Sequence, residues 1–318
     1  MKGLVQFIKD WMLPLAITLG ISLYLIYHFI PALKPLGPAG SVIVNKGQQI
    51  SITIMLFLQF IKVSPSEMKT HRWHIWLLLF QALSFVGFAM VAMVVKNVDM
   101  RILLETAMLC LICPTAAAAG VIIDKLGGSL AENMAYVAMA NAMATFLIPA
   151  IVPLVHPTDF GFWESVLLIA RRIFPMLLMP CLLAWLIRYT VPALQRFLAR
   201  FTGWAFYIWG ISLTFSMTLA TRALVYCNLS WVTVVLIGIV TVVCCLLQFA
   251  IGHRIGKRFG KVREITAGQS LGQKNTGFII WLGYNFLTPV TAIAGGLYAI
   301  AHNLVNSEEL YKKRHGTL

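Results

Sequence analysis

The chain has 318 residues, 59% of them hydrophobic and 11% charged, and its mean hydropathy of +0.83 lies far beyond the roughly half-apolar make-up of soluble domains. A bilayer core about 30 Å thick takes roughly 20 residues per helix, so this length is used up by on the order of ten spans and excludes an added soluble catalytic domain. The net charge of +14 sits in short joints between apolar runs, which argues for membrane topology and for no nucleic-acid partner.

Lys2 and Lys9 precede the first apolar run, but no small-residue cleavage site follows, so a cleaved signal peptide is not expected. Residues 4–11 mix apolar and basic positions and are expected to lie along the interface. Apolar segments cover residues 12–33, 41–63, 74–95, 101–126 and 131–155, and a second set covers 163–187, 203–224, 229–255, 264–286 and 287–306. Residues 191–201 form a second interfacial stretch. The predicted fold is an all-α polytopic membrane protein of ten transmembrane helices.

Charge tests that count. Both termini and the joints after helices 2, 4, 6 and 8 carry seventeen Lys and Arg, whereas the opposite joints hold only Lys34, Lys96, Arg101 and Arg222. The bias requires an even number of spans with both termini cytoplasmic, as in a bacterial inner membrane. Five of the six cysteines, Cys227 excepted, fall inside apolar runs where a small side chain packs. Cys110-x-x-Cys113 lies within a membrane helix with no basic neighbour to stabilise a thiolate, and no histidine pair has metal-ligand spacing on one helix face, so no resident metal or cofactor is expected.

Two segments break the apolar pattern. The fourth is interrupted from Cys113-Pro114-Thr115 to Gly120, and the ninth at Gly272-Gln273-Lys274-Asn275-Thr276-Gly277. Pro114 and Lys274 are 160 residues apart, about half the chain. Freed backbone groups persist at membrane depth only where they face protein or a lined cavity, and a pair of broken helices in matching halves points to a transporter's site in two inverted five-helix repeats. For helix 4 the bland alternative is a kinked packing helix, since Ala116 to Ala119 also suit close packing.

Other polar positions carry two readings each. Arg171 and Arg172 either snorkel to the outer interface or meet an anion at a cavity mouth, and Lys46 reads similarly. Glu105 suits an i, i+4 pair with Arg101. Asn141 and Thr145 share one face of helix 5 and either line a cavity or join helices.

At these residues the chain resembles the bile acid:sodium symporter family. Residues 54–68 (IMLFLQFIKVSPSEM) are similar to the family's helix 2 ending, Gln81 to its helix 3 glutamine, Cys113-Pro114 to its helix 4 crossover, and Gly272-x-x-Asn275-Thr276-Gly277 to its helix 9 crossover. The resemblance implies a panel (12–63 and 163–224) and a core (74–155 and 229–306) whose helices 4 and 9 unwind and cross. It places Gln81, Pro114, Thr115, Asn141, Thr145, Ser270, Gln273, Lys274, Asn275 and Thr276 around one hydrated site.

The departures concern sodium. At the positions of the family's ion ligands stand Ala119 and Gly120 for a Ser-Asn pair, Ser270 for a glutamate and Lys274 for a glutamine. Sodium wants oxygen ligands and negative charge, so its sites read as degraded. The Lys274 amine would stand in an ion's place as a tethered cation, and burial favours its neutral form, which would permit proton coupling. The alternative keeps it charged, held by crossover carbonyls or by an acid such as Glu105. The expected function is secondary transport of a small amphipathic organic anion by alternating access. The competing expectations are a non-transporting sensor or scaffold with the same fold, and an intramembrane enzyme, which the scarcity of carboxylates in the spans disfavours.

Overall fold

The computed structural model describes residues 2–68, 70–157, 160–227 and 229–316, and among these the side chains of residues 2–10 and 13 fall outside the description. Lys69, and the side chains of Lys2 and Lys9, therefore lie outside the described part of the charge pattern. The chain forms α1 (Lys2–Phe29), α2 (Gly37–Phe60), α3 (Arg72–Val94), α4 (Val98–Ile112), α5 (Ala119–Leu126), α6 (Leu130–Val155) and α7 (Phe162–Leu177). There follow α8 (Met179–Thr190), α9 (Pro192–Ala199), α10 (Ala205–Val225), α11 (Trp231–Lys257), α12 (Lys261–Gly272), α13 (Thr276–Phe286) and α14 (Ile293–Arg314). No strand occurs among the described residues.

The helix starts follow from capping chemistry. Asn97 accepts the Met100 amide at 2.9 Å to open α4, Ser129 the Glu132 amide at 3.3 Å to open α6, and Ser230 the Thr233 amide at 3.2 Å to open α11. Each satisfies an amide that the first turn leaves without a carbonyl. Gly127, with φ of 87°, closes α5 in the left-handed region that other residues avoid.

Residues 4–11 form the first turns of α1, which runs on through Pro14 because the ring removes one bond while its fixed φ still suits a helix. Two sequence expectations need correction. The segment 163–187 is bent by 43° where α7 meets α8, with Pro175 and Pro180 each withdrawing an amide donor beside the bend. The last helix continues two turns past 306 to Arg314, stabilised by the Glu308–Lys312 ion pair and by three basic residues at its carbonyl end.

By length and composition, Pro31–Phe60, Arg72–Val94, Leu130–Val155, Pro192–Val225 and Trp231–Lys257 each suffice to cross a membrane, and α7 with α8 makes a sixth across its bend. Their outward faces are apolar: Val232, Val235, Ile239, Val243 and Leu246 of α11 are all exposed, a stripe that water would not tolerate and lipid would cover. The chain is an all-α protein built for a membrane.

Contacts define two ends. At the end carrying Arg314, Arg188 donates to the Ile61 and Lys62 carbonyls at 3.1 and 3.0 Å. At the other, the Thr288 amide donates to Glu105 Oε2 at 2.9 Å and the His28 ring lies 6.0 Å from that of Tyr226. Helix α10 packs on both α1 and α2, and α8 on α2, while α3, α4, α11, α12 and α14 pack mainly on one another; α6 joins α3 and α12 to α7, which packs more on α6 than on α2. Helix α13 touches α2 and α10 of the first group.

Glu132 fastens the first end. Its carboxylate accepts from Trp73 Nε1 at 3.0 Å and Arg263 Nε at 3.3 Å and lies 3.2 Å from His71 Nε2. One acid thereby ties α3, α6 and α12. Glu132→Ala leaves a buried indole N–H and a guanidinium without their acceptor, so an expected loss of about 2 kcal/mol should appear as a lower Tm in detergent, with Glu132→Gln, which keeps an acceptor for Trp73, falling less.

Candidate functional site

The residue before a proline is pushed out of the helical region by the ring, and Cys113 is accordingly extended, at φ −54° and ψ 132°. Helix α4 stops there, and the chain restarts as α5 at Ala119. On the other strand of the site α12 stops at Gly272, and Asn275 Oδ1 accepts the Phe278 amide at 3.2 Å to start α13. The two gaps meet antiparallel, Thr115 opposite Lys274. The Ala116 amide donates to the Gln273 carbonyl at 3.0 Å and the Asn275 amide to the Pro114 carbonyl at 2.9 Å. Backbone groups that the breaks set free thus satisfy one another across the gap.

Side chains complete the exchange. Gln81 of α3 donates to the Ile112 and Cys113 carbonyls at 2.7 and 3.1 Å, and accepts from Tyr136 of α6 at 2.8 Å. Gln248 of α11 donates to the Cys110 carbonyl at 3.1 Å and to the Tyr298 hydroxyl at 2.9 Å, and Tyr298 of α14 donates to the Gly272 carbonyl at 2.9 Å. A Gln–Tyr pair therefore serves each broken helix. Thr115 donates to the Ser270 carbonyl at 2.5 Å, Ser270 to Asn133 Oδ1 at 2.8 Å, and Gln273 to Gln269.

Lys274 stands in the middle of this network without joining it. It is fully buried, and its Nζ has no hydrogen-bond partner. The ionisable groups acting on it are the thiols of Cys113, Cys110 and Cys245. Among the described residues no carboxylate forms an ion pair with it. Glu105, offered by the sequence as its acid, is at the far end, paired with Arg101 and His156 at 3.6 Å each.

The crossing gathers Gln81, Pro114, Thr115, Ser270, Gln273, Lys274, Asn275 and Thr276. Asn141 and Thr145 stay on α6, both buried, with the Thr145 hydroxyl spent on the Asn141 carbonyl at 2.7 Å; no hydrogen bond joins either to the crossing. Gln81, Ser270 and Lys274 have no exposed surface, while Ala116 to Ala118 in the gap between α4 and α5 are partly exposed. Open clefts lie at the ends. One of about 570 Å³ is lined by Val98, Ile102, Arg222, Tyr226, Tyr284 and Thr288, and one of about 370 Å³ by Glu132 and residues 259–263. Arg172 lies over the Phe286 ring at 5.6 Å, and Arg171 and Lys46 are exposed.

Sequence reasoning missed a polar group that α2 and α10 bring against α13. Gln48, fully buried, accepts from Ser212 at 3.3 Å, while its Nε2 and the Ser216 hydroxyl have no partner. A Cβ on Gly277 would stand 2.5 Å from Gln48 Nε2, so only glycine lets that amide reach the first turn of α13. Tyr136, Gln248 and Tyr298 were also missed, although Gln248 and Tyr298 follow Gln81 and Tyr136 by 167 and 162 residues, a repeat signal open to detection. Gln81→Leu should lower the Tm, since two buried carbonyls and the Tyr136 hydroxyl lose their partner at roughly 1 to 3 kcal/mol in all.

Comparison with the known protein families and with curated proteins finds no match for this chain.

Proposed function

We propose that the chain is a secondary transporter that moves an amphipathic organic anion by alternating access, related in design to the bile acid:sodium symporters but without their sodium sites. The observation that carries this reading is the antiparallel crossing of two interrupted helices with a buried amine, Lys274, at its centre. Ten spans follow if α4 with α5, α7 with α8, and α12 with α13 each count as one and α9 lies at the interface. The paired Gln81–Tyr136 and Gln248–Tyr298 contacts support two inverted five-helix repeats. The basic end then faces the cytoplasm with both termini. In that frame residues 12–63 and 163–224 are the panel and 74–155 and 229–306 the core.

An anion suits the donors. The first turn of α13 presents amides toward the panel, and Gln48 Nε2 adds a buried donor without an acceptor. Sodium does not suit the site, where Ser270 is engaged with Asn133, Ala119 and Gly120 bring no side-chain oxygen, and an ammonium cannot ligate a cation. Lys274 would supply the charge instead, gaining and losing a proton over the cycle. The full burial of Gln81, Ser270 and Lys274 favours one rival, a sensor or scaffold that keeps the fold without transport.

Uptake of labelled steroid conjugates, keto acids and pantoate-like acids into proteoliposomes, under sodium and pH gradients imposed separately, tests the proposal. Stimulation by a pH gradient and indifference to sodium are expected. Strong sodium stimulation with a Hill coefficient near two would overturn the coupling, and absence of flux for every anion would favour the scaffold.

A further inference from the structure

Helix α14 carries a polar stripe on a buried face. Tyr298, His302, Asn306 and Glu309 follow one another at helical spacing, and all four are buried. The eleven steps along the helix from Tyr298 to Glu309 rise about 17 Å at about 1.5 Å each. The stripe thus joins the crossing to the end that holds Arg314.

Both of its ends are engaged. At the crossing the Tyr298 hydroxyl accepts from Gln248 and donates to the Gly272 carbonyl, two residues before Lys274, and its ring lies 5.8 Å from that of His302. At the other end Glu309 accepts from Gln269 of α12 at 2.8 Å and lies 2.8 Å from His253 Nε2 of α11, whose side chain is 27% exposed. Between them His302 Nδ1 and Asn306 Oδ1 are buried with no protein partner. Buried polar atoms of this kind hold water, because leaving them dry costs the full desolvation of each group.

We propose that this face of α14 is a hydrated proton path between Lys274 and the surface at His253 and Glu309. It rests on the reading of Lys274 as the coupling cation. A proton from bulk water neutralises the Glu309 carboxylate and passes through bound water to His302. The imidazole takes it on one nitrogen and releases the other, and the proton ends on the Lys274 amine as an ammonium; release runs the same steps backward. The charged and titratable neighbours are few. Lys312 acts on Glu309 from the last turns of α14 itself, Asp124 and Lys125 of the packed α5 are exposed, and the ionisable groups acting on Lys274 are the three thiols. Among the described residues the stripe carries no acid besides Glu309.

The whole protein in nanodiscs of phosphatidylethanolamine and phosphatidylglycerol is mixed in weak buffer from about pH 11 to about pH 6, a span that brackets the titration of an amine. A pH dye follows proton uptake in stopped flow. The uptake that wild type shows and Lys274→Met lacks belongs to Lys274. Glu309→Gln and, independently, Asn306→Leu should slow that phase at least tenfold and leave its amplitude unchanged, whereas Glu308→Gln, on the exposed face of the same helix, should leave the rate as it is. Asn306→Leu is an apolar exchange outside the His253–Glu309 contact, so it remains informative if Glu309→Gln fails to fold. An unchanged rate in both stripe variants would overturn the path while Lys274 still titrates. Absence of any Lys274-dependent uptake would overturn both the path and the coupling role.

Discussion

Lys274→Met is expected to lower pH-driven anion uptake at least about 100-fold while raising the Tm of the purified protein by a few degrees. The two effects share one cause. Methionine fills nearly the same volume but removes an amine that is fully buried and has no hydrogen-bond partner, and relieving an unpaired buried cation stabilises a fold by on the order of 1 to 3 kcal/mol. A hundredfold loss of rate corresponds to about 2.7 kcal/mol of barrier, the size expected if coupling depends on that one charge. Stability that rises as activity falls marks a residue kept for function rather than for folding. Lys274→Arg is the companion variant: its guanidinium does not deprotonate in proteins, so it should also abolish the response to pH. Uptake under an imposed pH gradient and thermal unfolding in the same detergent read both quantities. Full activity in Lys274→Met would remove the amine from the mechanism, and a fall in Tm would show that it holds the crossing together.

Much of this site was legible in the chain because its physics is local. Pro114 forbids a helix through Cys113, and the run from Gly272 to Gly277 places polar groups where hydrocarbon belongs. Each break is therefore visible without knowledge of its partner, and their half-chain separation suggests the pairing. What was not legible depends on helices far apart in sequence. Gln48 lies 164 residues from Ser212, and neither carries a motif, so their meeting at the first turn of α13 follows only from packing. The full burial of Gln81, Ser270 and Lys274 was likewise unpredictable, since composition counts polar groups but not the carbonyls that satisfy them. The bend between α7 and α8 had a signal in Pro175 and Pro180, but apolar length masked it.

The largest effect on folding is expected at Gly252 and Gly256 of α11. Together with Gly268 and Gly272 of α12 they form two facing Gly-x-x-x-Gly rows, which allow helix backbones in a membrane to approach closely. A Cβ on Gly252 would stand 2.5 Å from the Ala267 carbonyl oxygen and 2.8 Å from Gly268 Cα, and one on Gly256 would strike the Arg263 carbonyl oxygen. Backbone atoms cannot rotate away as a flexible side chain does, so Gly256→Ala must part the two helices. Overpacking of this kind costs roughly 1 to 3 kcal/mol, a Tm lower by about 2 to 5 °C, and Gly252→Ala with Gly256→Ala should lower it further still. Gly87→Ala is the control: no atom lies within 4 Å of its Cβ position, so alanine there should change stability by no more than about 1 kcal/mol, in the stabilising direction. The loss should reach function as well, because α12 runs directly into Gln273 and Lys274, and α11 holds that helix at the depth where Thr115 can pair with Lys274. Equal melting of Gly256→Ala and Gly87→Ala would disprove the close approach, and with it the rigid support on which the crossing depends.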